Sequence, residues 1–299
     1  MNEKIIFIFL DGIGLGFPNN FNPFYLYPMN KLESLIGCSI SHNAFNQKNG
    51  SVIKSIDACL DVKGIPQSQS ATGQTALFTG INASKILGYH LMAYPDKILT
   101  DIIFKHNILK KTNEKGKKAL FANAYDLDRY FSLIKKKKIR HSATTLSTIS
   151  AGIPFRNLED LKEGKAVYWD ITNKTLAPIH RDIDIINGET AGKRIAQLTY
   201  EFDLILFESF MPDILGHKKS ITNAGLFLGV LDQFIYGIIS NIEKNVTVII
   251  SSDHGNMEDL STGLHTLNPV PLIAIGNKSE AFSHASSILD IPKIILSLL

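Results

Sequence analysis

The chemistry of this 299-residue chain is concentrated in a few short segments. Asp11 ends the apolar run Lys4–Leu10, and Asp213 and His217 stand four residues apart after the apolar run Leu204–Phe207. Asp253 and His254 follow the run Val246–Ile250 through Ser251 and Ser252, and His265 comes eleven residues later, after Thr262 and Gly263. If the turn holding Asp213 and His217 is helical, both side chains point the same way. Three aspartates and three histidines in such places predict metal binding, because imidazole with carboxylate suits Zn or Mn.

A nucleophile would complete the set. The segment Pro66–Thr75 is rich in serine and threonine and runs into the helical pattern Gln74–Phe78. Free N–H groups at a helix start favour an anion, and a hydroxyl ionised by a metal can attack phosphorus. Ser68, Ser70 and Thr72 all qualify on spacing. The run Asp11-Gly12-Ile13-Gly14-Leu15-Gly16 has its glycines at every second residue and no acidic partner about twenty residues on, so it is not a dinucleotide fingerprint. Its glycines are expected to let the backbone pass close to a metal site. His42, His106, His141, His180 and His284 read as ordinary surface or core residues.

These segments require a scaffold that brings strand ends together. Strand-like runs at Lys4–Leu10, Val52–Leu60, Ala119–Ala122, Leu204–Phe207, Val246–Ile250 and Pro271–Ile275 alternate with helical patterns at Lys97–Leu109, Glu189–Tyr200, Ala224–Ile242 and Ser286–Leu298. Alternation of buried strands with helices predicts an α/β fold, a three-layer αβα sandwich around a mostly parallel, doubly wound sheet. Ligands of such sheets sit at the carboxyl ends of the strands, where the aspartates and histidines fall. Residues 126–184 fit the alternation poorly and are expected to form a small inserted lid, leaving 1–125 and 185–299 as a discontinuous catalytic core.

Composition narrows the class of function. The chain is 44% apolar and 20% charged, as in ordinary globular proteins, and its net charge of +3 lacks the basic excess of a nucleic-acid binder. The basic block Lys135–Lys138, with Arg140 after it, reads as solvated surface or as a clamp for an anionic substrate. Two cysteines, Cys38 and Cys59, give no disulfide framework and no cysteine metal site. The N-terminal apolar run is too short for a signal core or a membrane span, so a cytoplasmic protein without a membrane partner is expected.

The motifs, in their chain order, resemble those of the alkaline phosphatase superfamily of two-metal enzymes. Asp11-Gly12-Ile13-Gly14 is similar to the opening Asp-Gly-x-Gly of cofactor-independent phosphoglycerate mutases, and Ser70-Ala71-Thr72-Gly73-Gln74 to their Ser-Glu-Val-Gly-His segment. Leu77-Phe78-Thr79-Gly80 and Pro212-Asp213-Ile214-Leu215-Gly216-His217 resemble motifs of nucleotide pyrophosphatases and phosphodiesterases. Asp253-His254-Gly255-Asn256 and His265-Thr266-Leu267-Asn268-Pro269-Val270-Pro271 again resemble the mutases, a group related to phosphopentomutase. The resemblance implies Ser70 as nucleophile and two divalent ions, Zn or Mn. One would be held by Asp213, His217 and His265, the other by Asp11, Ser70, Asp253 and His254.

Three departures from the mutase pattern favour hydrolysis of a small phosphate mono- or diester. Gln74 replaces a histidine, the insertion is far shorter than the mutase lid, and no matching arginine cluster is evident. A phosphomutase and a non-catalytic metal-binding relative are the alternatives. Gln74, His90, Arg140 and Arg156 are candidate substrate contacts, with Arg129 and Arg181 as further possible anion contacts in the insertion. The expected partner is a small phosphorylated metabolite.

Overall fold

A computed structural model describes residues 2–48, 50–60, 62 and 68–299. Seven strands form one sheet: β1 (Lys4–Leu10), β2 (Phe45–Lys48), β3 (Ser51–Ile56), β4 (Ala119–Phe121), β5 (Leu204–Ser209), β6 (Val246–Ser251) and β7 (Val270–Gly276). Their order is β2-β3-β7-β6-β1-β5-β4. β6, β1, β5 and β4 pair in parallel, whereas β7 runs antiparallel to β6, β3 to β7 and β2 to β3.

Central β1 shows why the strand runs are continuously apolar. Ile6, Ile8 and Leu10 enter the cluster on one face, while Ile5, Phe7 and Phe9 enter the cluster on the other. Successive side chains alternate across a strand, so a sheet covered on both faces needs apolar residues at every position. The helices Asn30–Ile36, Gly188–Gln197 and Ile221–Ile239 cover the first face. Ser70–Thr79, Lys97–His106, Ile108–Glu114, Ala143–Ser150 and Asp290–Leu298 cover the second.

Helix Ile221–Ile239 is long and apolar enough to cross a membrane by length and composition alone. Its Phe227, Leu231, Phe234 and Ile238 are buried at helical spacing, and Gly192 and Gly237 bring the neighbouring helix Gly188–Gln197 close to it.

The antiparallel direction of β7 has a consequence for the site. Because β7 starts at the edge where β6 ends, the whole connection 252–269 stays at the carboxyl end of the parallel strands. A parallel β7 would have carried the chain to the far edge. Composition alone does not encode this reversal, and the hairpin of β2 and β3 beside it was not anticipated.

Two helical patterns also resolve differently. Lys97–Leu109 divides at Asn107, whose extended backbone ends one helix and whose side chain caps the next by accepting from Lys110 N at 3.0 Å. The last helix begins at Asp290 rather than Ser286.

Residues 126–184 hold the helices Leu127–Lys135, Ala143–Ser150 and Leu158–Lys162. Their packing is divided. Ala143, Leu146 and Ile153 belong to the second-face cluster and Val167 and Ile171 to the first. Leu161, Ala166, Leu176 and Ile183 gather with Ala124 in a small cluster of their own.

Beyond β4 the sheet is continued by a side chain. The Asn123 amide donates to Glu208 O and accepts from Glu208 N, both at 2.8 Å. Asn123→Ala leaves these buried backbone groups unpaired and is expected to cost about 1–3 kcal/mol of stability, read from urea unfolding.

Candidate metal centre

Among the described residues, two groups each bring three ligand atoms within 4.8 Å of one another: Asp213, His217 and His265, and Asp11, Asp253 and His254. Helix Met211–Lys218 starts just after β5 and places Asp213 and His217 one turn apart, with Oδ2 and Nε2 at 3.3 Å. His265 Nε2 approaches the other oxygen, Oδ1, at 3.4 Å. His217 Nδ1 lies 2.9 Å from Gly263 O, and His265 Nδ1 lies 2.9 Å from Ser68 O. A ring nitrogen can only donate to a carbonyl, so in the neutral imidazoles both Nε2 atoms turn lone pairs toward Asp213. Metal-binding histidines are oriented in this way.

The second group is sealed. Asp253 and His254 are fully buried, and Asp11 is nearly so. His254 Nε2 lies 3.2 Å from Asp11 Oδ1, 3.5 Å from Asp253 Oδ2 and 3.2 Å from Ser70 Oγ. The His254 and His265 rings stack at 3.7 Å, which joins the two groups into one edge.

Burial and the neighbouring Asp11 hold the Asp253 carboxyl well above the usual carboxylate range. Burial alone would push His254 down, but Asp253, Asp11 and Asp213 outweigh it and raise it to about 10. Asp213 is mostly buried and feels the same fields: burial opposes its charge, yet, with a proton on His265 Nε2, the hydrogen bond from His265 and the charge of His254 bring it down to about 2. Asp11 Oδ1 and Asp253 Oδ2 are buried without a hydrogen-bond donor. Such oxygens fit a cation, because a buried carboxylate oxygen is costly unless paired.

Of the three hydroxyls, Ser70 alone lies within hydrogen-bond distance of a side chain of this group. Ser68 Oγ donates to Ala58 O at 3.0 Å, and Thr72 Oγ1 donates to Gln69 O at 3.1 Å. Pro66 and Gln67 lie outside the described residues. Ser70 is the first residue of the helix Ser70–Thr79. That helix can approach the aspartates because residue 73 is glycine: a Cβ there would meet Asp253 O at 2.8 Å.

The other candidates separate. Gln74 Nε2 donates to Asp11 Oδ2 at 3.2 Å, so it orients a carboxylate of the cluster. His90 is buried behind the first helical turn, its Nδ1 3.3 Å from Thr72 Oγ1, and burial lowers its pKa. Arg140 is exposed on the rim of a pocket. Arg156 is not brought to the cluster: it pairs with Asp160 at 2.8 Å and lies over the ring of Phe202, which precedes β5 at the opposite edge of the sheet.

Three further residues escaped the sequence reading. Glu258 is fully buried and accepts from Gly14 N at 2.9 Å, Asn256 N at 2.8 Å, Asn268 Nδ2 at 3.0 Å and Thr266 Oγ1. A Cβ on residue 14 would stand 2.3 Å from its Oε1, so the glycine run does serve close approach. Asn256 Nδ2 donates to Asp213 Oδ1 at 2.7 Å, tying one group to the other. Glu208, the charged residue that ends the apolar run of β5, accepts from Thr144 Oγ1 at 2.7 Å. Burial, reinforced by Asp11, raises it to about 8. A carboxylate at the carboxyl end of a strand is a signal of the kind used for Asp11.

A sequence model of the Metalloenzyme superfamily matches residues 3–299. The chain belongs to this superfamily. It comprises metal-dependent phosphoryl-transfer enzymes, alkaline phosphatases and phosphomutases among them, and membership implies divalent metal binding. The chain is 31% identical over 120 residues to a 2,3-bisphosphoglycerate-independent phosphoglycerate mutase of Clostridium botulinum, a match covering 37% of this chain and 24% of that protein. With the same-named protein of Clostridium kluyveri it shares 35% identity over 107 residues, 33% of this chain and 21% of the relative. The matched stretches thus span less than a quarter of either relative's length.

In fold, the superfamily member superposes on a cold-active alkaline phosphatase of Shewanella sp. with a TM-score of 0.54, at 12% identity, covering all of both chains. A phosphoglycerate mutase of Leishmania mexicana gives 0.51 at 10% identity, covering 100% of this chain and 95% of that one.

Two expectations follow from the geometry. Glu258→Gln removes a charge that four donors address, and it is expected to weaken metal binding by about 10–100-fold in calorimetric titration. In metal-free protein, Glu208 keeps its proton to about pH 8 when folded, against an ordinary glutamate value of 4.5. The folded state then binds the extra proton, so stability falls as pH rises from about 4.5 to about 8. Urea unfolding with a chelator present should show Glu208→Gln gaining on the parent protein across that window.

Proposed function

We propose that this protein transfers the phosphoryl group of a small phosphate ester to Ser70 and then hydrolyses the phosphoserine. One observation carries the reading: Ser70 Oγ, at the start of a ten-residue helix, lies 3.2 Å from His254 Nε2 inside the Asp11, Asp253 and His254 group. Asp213, His217 and His265 would hold one divalent ion, Zn or Mn, and Asp11, Ser70, Asp253 and His254 the other. When bound, the ions supply positive charge that lowers the pKa of the serine hydroxyl and neutralises the phosphoryl oxygens.

The chain's own groups do the rest. Ser70 Oγ forms the new bond to phosphorus as the ester P–O bond opposite it breaks and the leaving oxygen departs in line. The N–H groups of Ala71 and Thr72, in the first helical turn, have no partner within the helix and are donors for the phosphoryl oxygens. Gln74 keeps Asp11 turned toward His254. Water then attacks phosphorus from the side the ester left, the Oγ–P bond breaks, a proton from the water passes to Oγ, and phosphate leaves with the Ser70 hydroxyl restored. Residues 126–184 are proposed as the cap over this edge.

A second reading is favoured by the mutase names of the relatives. If the cap retains the dephosphorylated product and excludes water, another hydroxyl of that product takes the phosphoryl group and the outcome is a phosphomutase. In either reading the near-balanced charge of +3 argues against nucleic acid as the partner and is compatible with a small phosphorylated metabolite.

With Zn or Mn supplied, p-nitrophenyl phosphate or its bis diester is expected to be turned over. Ser70→Ala should lower turnover at least about a thousandfold while elemental analysis still finds the bound metal. Loss of activity in Thr72→Ala with Ser70→Ala active would reverse the assignment of nucleophile. His217→Ala and His254→Ala should each lose a different one of the two ions, and equal loss of both from either would contradict two separate groups. Metal without turnover of either ester would favour the mutase or a non-catalytic relative.

A further inference from the structure

The two sealed carboxylates divide their oxygens in the same way. Asp11 Oδ2 accepts from the Gln74 amide at 3.2 Å, while Oδ1 has no hydrogen-bond donor and stands 3.2 Å from His254 Nε2. Asp253 Oδ1 accepts from Gly12 N at 3.4 Å, while Oδ2 has no donor and stands 3.5 Å from the same nitrogen. In each residue a donor ties one oxygen and leaves the other for an ion. Resting on the reading of Asp11, Ser70, Asp253 and His254 as ligands, the geometry points to Gln74 as a positioning residue that restricts Asp11 to one ligating oxygen and so favours Zn over Mn in this group.

The placement of Gln74 follows from its helix. It stands four residues after Ser70 in the helix Ser70–Thr79, so the proposed nucleophile and the amide share one helical face. Its side chain is buried there. A carboxylate can only accept, so the amide must turn its nitrogen toward Asp11. It ties the oxygen without adding a charge or a titrating group of its own.

Donor count then sets the preference. With one oxygen from each aspartate, the group offers four atoms: Asp11 Oδ1, Asp253 Oδ2, His254 Nε2 and Ser70 Oγ. Zn is satisfied by four ligands of imidazole and carboxylate type, whereas Mn suits a fuller shell of carboxylate and water oxygens. Burial of Asp253 and His254 limits the water that could complete such a shell. The further oxygen nearest to hand is Asp11 Oδ2, and Gln74 holds it. Loss of the amide donor frees that oxygen as a fifth ligand, which benefits Mn more than Zn.

Selectivity, rather than turnover, tests this. Gln74→Met keeps the length of the side chain and removes the donor, and Gln74→Leu serves as a second variant. Crystals of the full chain would be equilibrated with Zn and Mn at a series of ratios, and the occupancy of each group read by anomalous scattering at the two absorption edges. Relative to the parent, both variants are expected to move the preference of the Asp11 group toward Mn by at least about tenfold, with the Asp213, His217 and His265 group moving by less than about twofold. A merely structural loss weakens Zn and Mn alike and leaves the ratio unchanged. That result, or a shift shared by both groups, would overturn the inference. Failure of the ligand reading shows separately and removes the inference with it: no ion would then lie on Asp11, Ser70, Asp253 and His254 in the parent protein at any ratio.

Discussion

Asp253 is sealed from solvent beside Asp11, and Asp213 stands close enough for its charge to be felt at Asp253. Two unit charges about 4 Å apart repel by about 4 kcal/mol at an effective dielectric of about 20, and burial adds the cost of lost hydration. An edge built this way is electrostatically unfavourable by itself. Its consequences appear in every group there: Asp253 held toward its neutral form, His254 driven to about 10, and two carboxylate oxygens left without donors. Divalent ions would relieve all three conditions at once, which is why the metal-binding character of the superfamily and the local physics agree.

Such an edge persists only if the backbone holds its carboxylates against their repulsion. Glu258 supplies much of that restraint, because one buried side chain receives donors from the 11–16 loop, the 253–258 turn and the 265–268 segment. Asn256 extends the restraint to Asp213. The antiparallel β7 makes this economical in chain length, since the connection from β6 never leaves the edge. Ser70 arrives from a different element, and the absence of a Cβ at Gly73 lets its helix settle against Asp253.

How much of this could be read from residue types depends on the range of the signal. Strand runs such as Lys4–Leu10 and Val246–Ile250 were legible because burial on both faces demands unbroken apolar sequence. The aspartates and histidines were legible because strand ends concentrate ligands. The β2–β3 hairpin and the direction of β7 were not, since strand direction is a property of pairing rather than of composition. Asn107 dividing one apparent helix is a local capping competition that apolar periodicity conceals. Glu258 was hidden for another reason: its role exists only once three distant segments meet. Arg156 lies apart from the metal groups because Asp160, four residues on, pairs with it.

The central claim is that two groups of side chains, held by one buried framework, form paired metal sites around Ser70. Anomalous diffraction from crystals grown with Mn tests it most directly. The account predicts two peaks, one touching Asp213, His217 and His265, the other touching Asp11, Ser70, Asp253 and His254. A single peak, or ions bound away from these residues, would contradict it.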